Sequence, residues 1–244
     1  HLANGLKASG FSISRIWSRD IANARLLADT CGAQACAELS ALQEQTDLII
    51  IATADNAIAE IAPAIGSFGG IVVHTAGSVP MDILADYADN FGVLYPLQTF
   101  SKGVPVDLST VPFFTEASSE AVLHALNQVA RSLSLKVHTI DSRQRLMLHI
   151  AAVFAGNYSN LMYIISNELL VGSNLPADAL HPLILETARK AASGDPKAMQ
   201  TGPARRNDTL TLEKHLTALA SIPEYAELYK LLASIITKKF NKPI

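Results

Sequence analysis

The stretch Asp47-Leu48-Ile49-Ile50-Ile51-Ala52-Thr53 holds an unbroken apolar run from Leu48 to Ala52, rich in isoleucine, and closes on small residues. A strand solvated on one face alternates apolar and polar residues. A run without alternation belongs to a strand covered on both faces, as in a parallel sheet flanked by helices. The same alphabet recurs on either side of it. Upstream, Ser12 to Ser18 reads as a strand and Asp20 to Thr30 as a helix, with Asp20 as N-cap and Gly32 as stop. Downstream, Asp55 caps a helix over Asn56 to Ile65, Gly70 to Thr75 is a second buried strand, Met81 to Tyr87 a short helix, and Phe91 to Tyr95 a further strand. Strands alternating with helices of about ten residues predict an α/β fold with a doubly wound parallel sheet of Rossmann type.

His1-Leu2-Ala3-Asn4-Gly5-Leu6 already reads as helix, ending at Gly10. The first strand of a doubly wound order and its G-x-G-x-x-G turn are therefore expected upstream, in roughly ten to fifteen further residues. That strand lies mid-sheet, and a parallel sheet without it would leave two rows of backbone groups unpaired. From Pro96 to Asp141 the pattern is mixed: a loop, a short strand at Pro112 to Thr115, a helix from Ser118 to Ser132 and a strand at Lys136 to Ile140. Beyond Asp141 helix dominates. Arg143 to Leu170 has no internal proline and only Gly156 as a weak point, which predicts one helix of about 28 residues, ~42 Å long at ~1.5 Å per residue. Later helices are expected over Ala177 to Ala192, Leu210 to Ala220 and Glu224 to Lys239. The expected organisation is a nucleotide-binding domain over 1–141 and an all-helical domain over 142–244.

A chain of 244 residues, 49% hydrophobic and 17% charged, suits a compact protein of one or two domains. A formal charge of -3 without a long basic run makes no electrostatic case for nucleic acid or an anionic membrane. The longest strongly apolar run, Leu48 to Ala54, is too short to cross a bilayer. Cys31 and Cys36 match no common zinc spacing and have no histidine near them in sequence. They read as packed free thiols, which fits a reducing cytoplasm and gives no metal site.

Ligands of open α/β sheets bind beyond the carboxyl ends of the strands. The strand Ile13-Ser14-Arg15-Ile16-Trp17-Ser18-Arg19 ends on a small hydroxyl and a cation. An acidic side chain at this tip suits the ribose 2′-OH of NAD, whereas an Arg accommodates the 2′-phosphate of NADP. Ser18 and Arg19 therefore point to NADP, although Asp20 next door keeps an ordinary solvated strand end open. In Ala52-Thr53-Ala54-Asp55-Asn56, small residues let backbone approach a nucleotide and the helix start at Asp55 offers free N–H groups. A plain cap is the alternative. The loop His74-Thr75-Ala76-Gly77-Ser78-Val79-Pro80 offers Thr75, Ala76 and Gly77 to a nicotinamide ribose and ring, or is a simple turn.

On the long helix, ideal spacing of about 100° per residue puts His149, Gly156 and Asn160 on one face with Asn157 adjacent. A histidine such as His149 can donate a proton, and the amide of Asn157 or Asn160 can orient a carbonyl or imine. Packed core side chains are the bland alternative. The polar loop Thr201 to Thr209 leads into a helix carrying His215, and its Arg205 and Arg206 can grip an anionic substrate. A solvated loop with Asp208 as N-cap reads equally well.

Together these segments resemble the dehydrogenase-like superfamily of pyrroline-5-carboxylate reductases and deazaflavin-dependent NADP oxidoreductases. The closest likeness is to its branch of Rossmann-like proteins described as NADP oxidoreductases with a C-terminal helical domain of unknown function. The resemblance rests on Trp17-Ser18-Arg19, Asp47 to Ala52, His74 to Ser78, Tyr95-Pro96-Leu97-Gln98, the Leu148 to Asn160 helix, and Gly202-Pro203-Ala204-Arg205 with His215. It implies an NADP site at Ser18, Arg19, Ala52, Thr53, Thr75 and Ala76, and a homodimer whose helical domains pack on each other. The loop Thr201 to Thr209 is placed like the Thr/Ser/Pro/Gly loop that holds the substrate carboxylate in pyrroline-5-carboxylate reductases. Arg205-Arg206 stand where those enzymes have glycines, so their substrate does not carry over. The expected activity is transfer of a hydride between NADP(H) and a small carbonyl or imine compound. A non-catalytic NADP(H) sensor and an NADPH:deazaflavin oxidoreductase are the alternatives, since no residue is uniquely catalytic.

Overall fold

A computed structural model describes residues 1–241, and the chain divides into two compact units, His1–Tyr158 and Ser159–Ile244. The first unit runs α1 (Leu2–Ala8), β1 (Arg15–Trp17), α2 (Ile21–Cys31), β2 (Gln34–Cys36), β3 (Leu48–Ile51), α3 (Ile58–Ile65), β4 (Phe68–His74), β5 (Ala88–Pro96), β6 (Phe113–Ala117), α4 (Glu120–Leu133), β7 (Val137–Thr139) and α5 (Ser142–Ala152). Strands β3 to β7 form one sheet in chain order, while β1 and β2 pair in parallel as a separate two-stranded sheet.

The sheet is mostly parallel. Leu48 pairs with Ile71 and Ile51 with His74 across β3 and β4, and Val73 pairs with Gly92 across β4 and β5. Strand β6 departs from the all-parallel expectation, running antiparallel to β5 with Leu94 opposite Thr115. Its connection, residues 97–112, holds a 3-10 turn at Leu108–Thr110 and no crossover helix. A parallel return requires a crossover, whereas an antiparallel one does not.

Period-two alternation sorts the buried run of β3 onto two faces. Ile49, Ile51 and Val72 pack with Ile58, Ile61 and Ile65 of α3. Leu48 and Ile50 join Val73, Leu94 and Phe113 against Leu6 of α1 and Val122, Leu126 and Leu133 of α4. Helix α4 earns its place by spacing: its buried residues Val122, Leu126, Val129, Ala130 and Leu133 form one stripe, and Ser119 caps it by accepting the Val122 N–H at 3.3 Å.

Several local expectations hold. Asp20 caps α2 through the Ala22 N–H, and Gly32 ends it in the left-handed region at φ 68°. Others change. Asp55 does not cap α3, which begins after a 3-10 turn at Asp55–Ala57 without a side-chain cap. The expected helix at Met81 to Tyr87 is a 3-10 turn over Met81–Leu84. The long helix starts as expected, with Asp141 and Gln144 forming a capping box. It then passes through a π-helical turn at Val153–Tyr158, which contains Gly156, into α6 (Ser159–Gly172). The expected domain limit at Asp141 thus marks the start of α5, while the compact units divide at Tyr158.

The second unit comprises α6, α7 (His181–Ser193), α8 (Thr209–Ala218) and α9 (Pro223–Phe240). Ala204 is its one buried residue among the described residues, and Leu183, Leu185 and Leu210 are 62%, 70% and 72% exposed. Among the described residues, no helix is long and apolar enough to cross a membrane.

Candidate functional site

The parallel strands β3, β4 and β5 present their carboxyl ends along one edge, and the loops there are stitched together. Ser78 Oγ donates to Asp55 Oδ2 at 2.5 Å, joining the loop after β4 to the exposed segment after β3. Asp55 therefore spends its carboxylate on a loop-to-loop bond. The same two loops hold the exposed Ala52 and Thr53 and the partly or fully buried Thr75, Ala76 and Gly77.

His74 ends β4 fully buried, and its Nδ1 accepts the Ala76 N–H at 3.2 Å. The neutral ring then carries its proton on Nε2, which faces the Pro80 carbonyl without reaching hydrogen-bond geometry. Burial, reinforced by the Arg145 guanidinium, pushes its pKa down to about 4. The unfolded chain therefore binds the extra proton between about pH 6.5 and pH 4, so stability falls as pH falls through that window. The full loss is roughly 3 kcal/mol, and His74→Asn should flatten it in urea unfolding series. An equally steep decline in the variant would assign the effect to other groups.

Arg145 is the largest fully buried side chain. Its Nη1 pairs with Glu116 Oε2, and its Nη2 donates to the Val79 carbonyl at 2.6 Å and to Ser142 Oγ at 3.1 Å. Glu116 also accepts the Ser142 N–H at 2.9 Å, while the Met81 N–H donates to Ser142 Oγ at 3.2 Å. One buried ion pair thus fastens α5 to β6 and to the loop after β4.

His149 lies one helical turn beyond Arg145 and is half-buried. Tyr95 Oη lies 3.2 Å from its Nδ1. A Cβ on Gly77 would fall 2.5 Å from Nδ1 and 2.7 Å from Cγ of the same ring. The space that glycine leaves open, read from sequence as room for a nicotinamide, is taken up by the imidazole. Burial, with the Asp55 carboxylate adding to it, pushes the Tyr95 hydroxyl above its usual pKa.

At the tip of β1, Arg19 is 82% exposed and meets Glu60 of α3 only at 3.9 Å. Such exposed pairs contribute little, about 0–1 kcal/mol. Ser18 makes no side-chain hydrogen bond among the described residues. Within the first unit the structure joins the loops after β3 and β4 through Asp55 and seats His149 against Gly77.

Asn157, Asn160, Arg205 and Arg206 are the remaining predicted site residues. Asn157 is exposed within the π-helical turn, and Asn160 is exposed in the second unit. A turn bonded i to i+5 breaks the 3.6-residue phase, so the shared face read from ideal spacing does not extend from His149 to Asn160. In the second unit the Arg205 guanidinium lies over the Phe240 ring at 4.7 Å, and Thr237 Oγ1 donates to the Ala204 carbonyl at 3.2 Å. Arg206 is exposed beside Asp208, the N-cap of α8. His215 Nδ1 pairs with the Tyr229 hydroxyl at 2.7 Å. Sequence reasoning gave no role to Arg145, Glu116, Ser142 or Tyr95. The available signals were an Arg four residues before His149 and a lone acid in the apolar strand Phe113-Phe114-Thr115-Glu116-Ala117.

Residues 111–236 match the domain of unknown function DUF2520. The chain is 42% identical to a crystal structure described as a "putative NADP oxidoreductase" from Bacteroides fragilis, covering 97% of this chain and 93% of that one, with a TM-score of 0.91. A protein of Thermotoga maritima is 23% identical, with 96% of each chain covered and a TM-score of 0.77. A reductive aminase from Aspergillus terreus, crystallised with NADPH and ethyl levulinate, shares the fold at 17% identity and a TM-score of 0.72, over 97% of this chain and 88% of that one. No curated protein matches the chain.

Proposed function

The chain belongs to the family of Rossmann-like NADP oxidoreductase homologues that carry the DUF2520 domain, and from that premise we propose that it binds NADP(H) and reduces or forms a small carbonyl or imine compound. The observation that carries the cofactor choice is the tip of β1. The Ser18 hydroxyl and the exposed, weakly paired Arg19 fit a ribose 2′-phosphate, and an acid that would prefer a free 2′-OH is absent from both positions. Ala52, Thr53, Thr75 and Ala76 line the nucleotide's path along the strand ends, with Asp55 and Gly77 shaping the loops. When bound, the cofactor supplies or takes up the hydride. His149 holds the proton that the substrate heteroatom exchanges, and Asn157 of the same unit orients the substrate.

We also assign a homodimer formed through the second unit, on the exposure of Leu183, Leu185 and Leu210. Sedimentation analysis tests it, and a monomer at all concentrations removes it. For the cofactor, Arg19→Ala should weaken NADPH binding about tenfold or more and leave NADH nearly unchanged, since charge-assisted bonds contribute about 1.5–3 kcal/mol. Isothermal calorimetry with both coenzymes checks this. Equal losses would mean that Arg19 does not read the phosphate, and no heat with either would end the nucleotide reading.

A further inference from the structure

The geometry points to Tyr95 as a positioning residue for His149: its hydroxyl, together with the bare backbone of Gly77, holds the imidazole in one orientation and leaves Nε2 as the nitrogen that exchanges a proton. The inference rests on the proton-donor reading of His149. The contact itself is specific. Tyr95 Oη and Nδ1 are 3.2 Å apart, and the rings meet edge to face with centroids 6.2 Å apart at 70°. On the loop side, no residue with a Cβ fits at position 77 while the ring stays where it is, because contacts of 2.5 to 2.9 Å would result.

Both supports of the ring are rigid. Tyr95 sits in β5, 8% exposed, with Phe114 of the neighbouring strand 6.4 Å away between ring centroids. His149 follows Arg145 by one turn, and Arg145 grips both Glu116 and the Val79 carbonyl. Helix, loop and strand therefore converge on one imidazole, each fixed to the others by buried bonds.

A phenol suits both protonation states of the ring, since its oxygen can accept the Nδ1–H in each. Toward neutral His149 its oxygen accepts the Nδ1–H, which selects the tautomer protonated on Nδ1 and leaves Nε2 bare to take up a proton. Toward the imidazolium it accepts the Nδ1–H. When the imidazolium acts, the Nε2–H bond breaks, the proton goes to the substrate heteroatom, and the ring is left neutral with its other proton on Nδ1 against the Tyr95 oxygen. Tyr95 keeps its own proton throughout, because burial and the Asp55 carboxylate oppose the tyrosinate.

The test is two-bond 1H–15N NMR of the full chain with labelled histidines, above the pH at which the imidazole charges. His149→Gln assigns the signal. The native protein should show a single tautomer, protonated on Nδ1 with Nε2 unprotonated. Tyr95→Phe keeps the ring packing and removes the hydroxyl, so the two ring nitrogens should move toward the tautomer average. Gly77→Ala should produce the same change with the Tyr95 hydroxyl still present. A merely structural Tyr95 would leave the tautomer alone, so unchanged nitrogen shifts in Tyr95→Phe overturn the inference. Turnover separates the two ideas: Tyr95→Phe should lower kcat with KM unchanged. A His149→Ala enzyme as active as the native one would instead remove the proton-donor reading, whatever the NMR shows.

Discussion

Arg145→Ala is expected to lower the free energy of unfolding by about 3–5 kcal/mol, the cost of leaving one member of a buried ion pair without its partner. The side chain is 1% exposed and Glu116 only 15%, so water cannot replace the lost bonds. The Val79 carbonyl and Ser142 hydroxyl lose a donor at the same time. At roughly 2–4 °C per kcal/mol for a chain of this size, the melting temperature should fall by about 10 °C. Urea unfolding measures the change directly. The double variant Arg145→Met with Glu116→Leu should recover a large part of it, because a well-packed apolar replacement of a buried pair is often neutral or better. A loss under about 1 kcal/mol in Arg145→Ala would show that the pair is solvated.

His149→Ala carries the largest expected effect on chemistry. Removing a positioned general acid lowers turnover by about 10²–10⁴-fold. Nucleotide affinity should stay at the native value, since the ring packs on Gly77 and Tyr95, while Ser18 and Arg19, proposed to read the ribose phosphate, follow β1. NADPH oxidation across a panel of small carbonyl and imine compounds reads the first quantity, and calorimetry the second. Native turnover in the variant would take His149 out of the reaction. Nucleotide binding by the native protein without turnover of any panel member would support a sensor instead.

The legible parts of this protein were those in which a local pattern and a buried face agree. The run Leu48 to Ile51 was read as a doubly covered strand, and its side chains do divide between α3 and the α1–α4 face. Asp20, Gly32 and Asp141 were read as helix ends from cap chemistry that acts within a few residues. Strand β2 was missed, because Gln34–Cys36 is too short to establish a period. The π-helical turn was missed as well, since its apolar residues and Gly156 fit an α-helix equally well.

The candidate site divides along the same line. Ser18, Arg19, Thr53, Thr75 and His149 are candidates by position at strand ends and on the long helix, which the chain's own periodicity supplies. Partners were not. Asp55 looked like a cap and instead accepts Ser78, and Gly77 looked like cofactor space and instead admits the His149 ring. Arg145 looked like one more charge on a helix, and it proved to be the buried centre of a clamp.

Amino-acid order alone established the alternation of strand and helix, the helix caps, the all-helical C-terminal part and the cationic tip of β1. These depend on side-chain period and on hydrogen bonds spanning a few residues. Tertiary structure alone decided the antiparallel sense of β6, the Arg145–Glu116 pair, the Ser78–Asp55 bond and the seat of His149 between Tyr95 and Gly77. The reason is separation along the chain: Tyr95 and His149 are 54 residues apart, and Val79 and Arg145 are 66. No local pattern carries information over such distances, and only packing the sheet against its helices brings those atoms within hydrogen-bond reach.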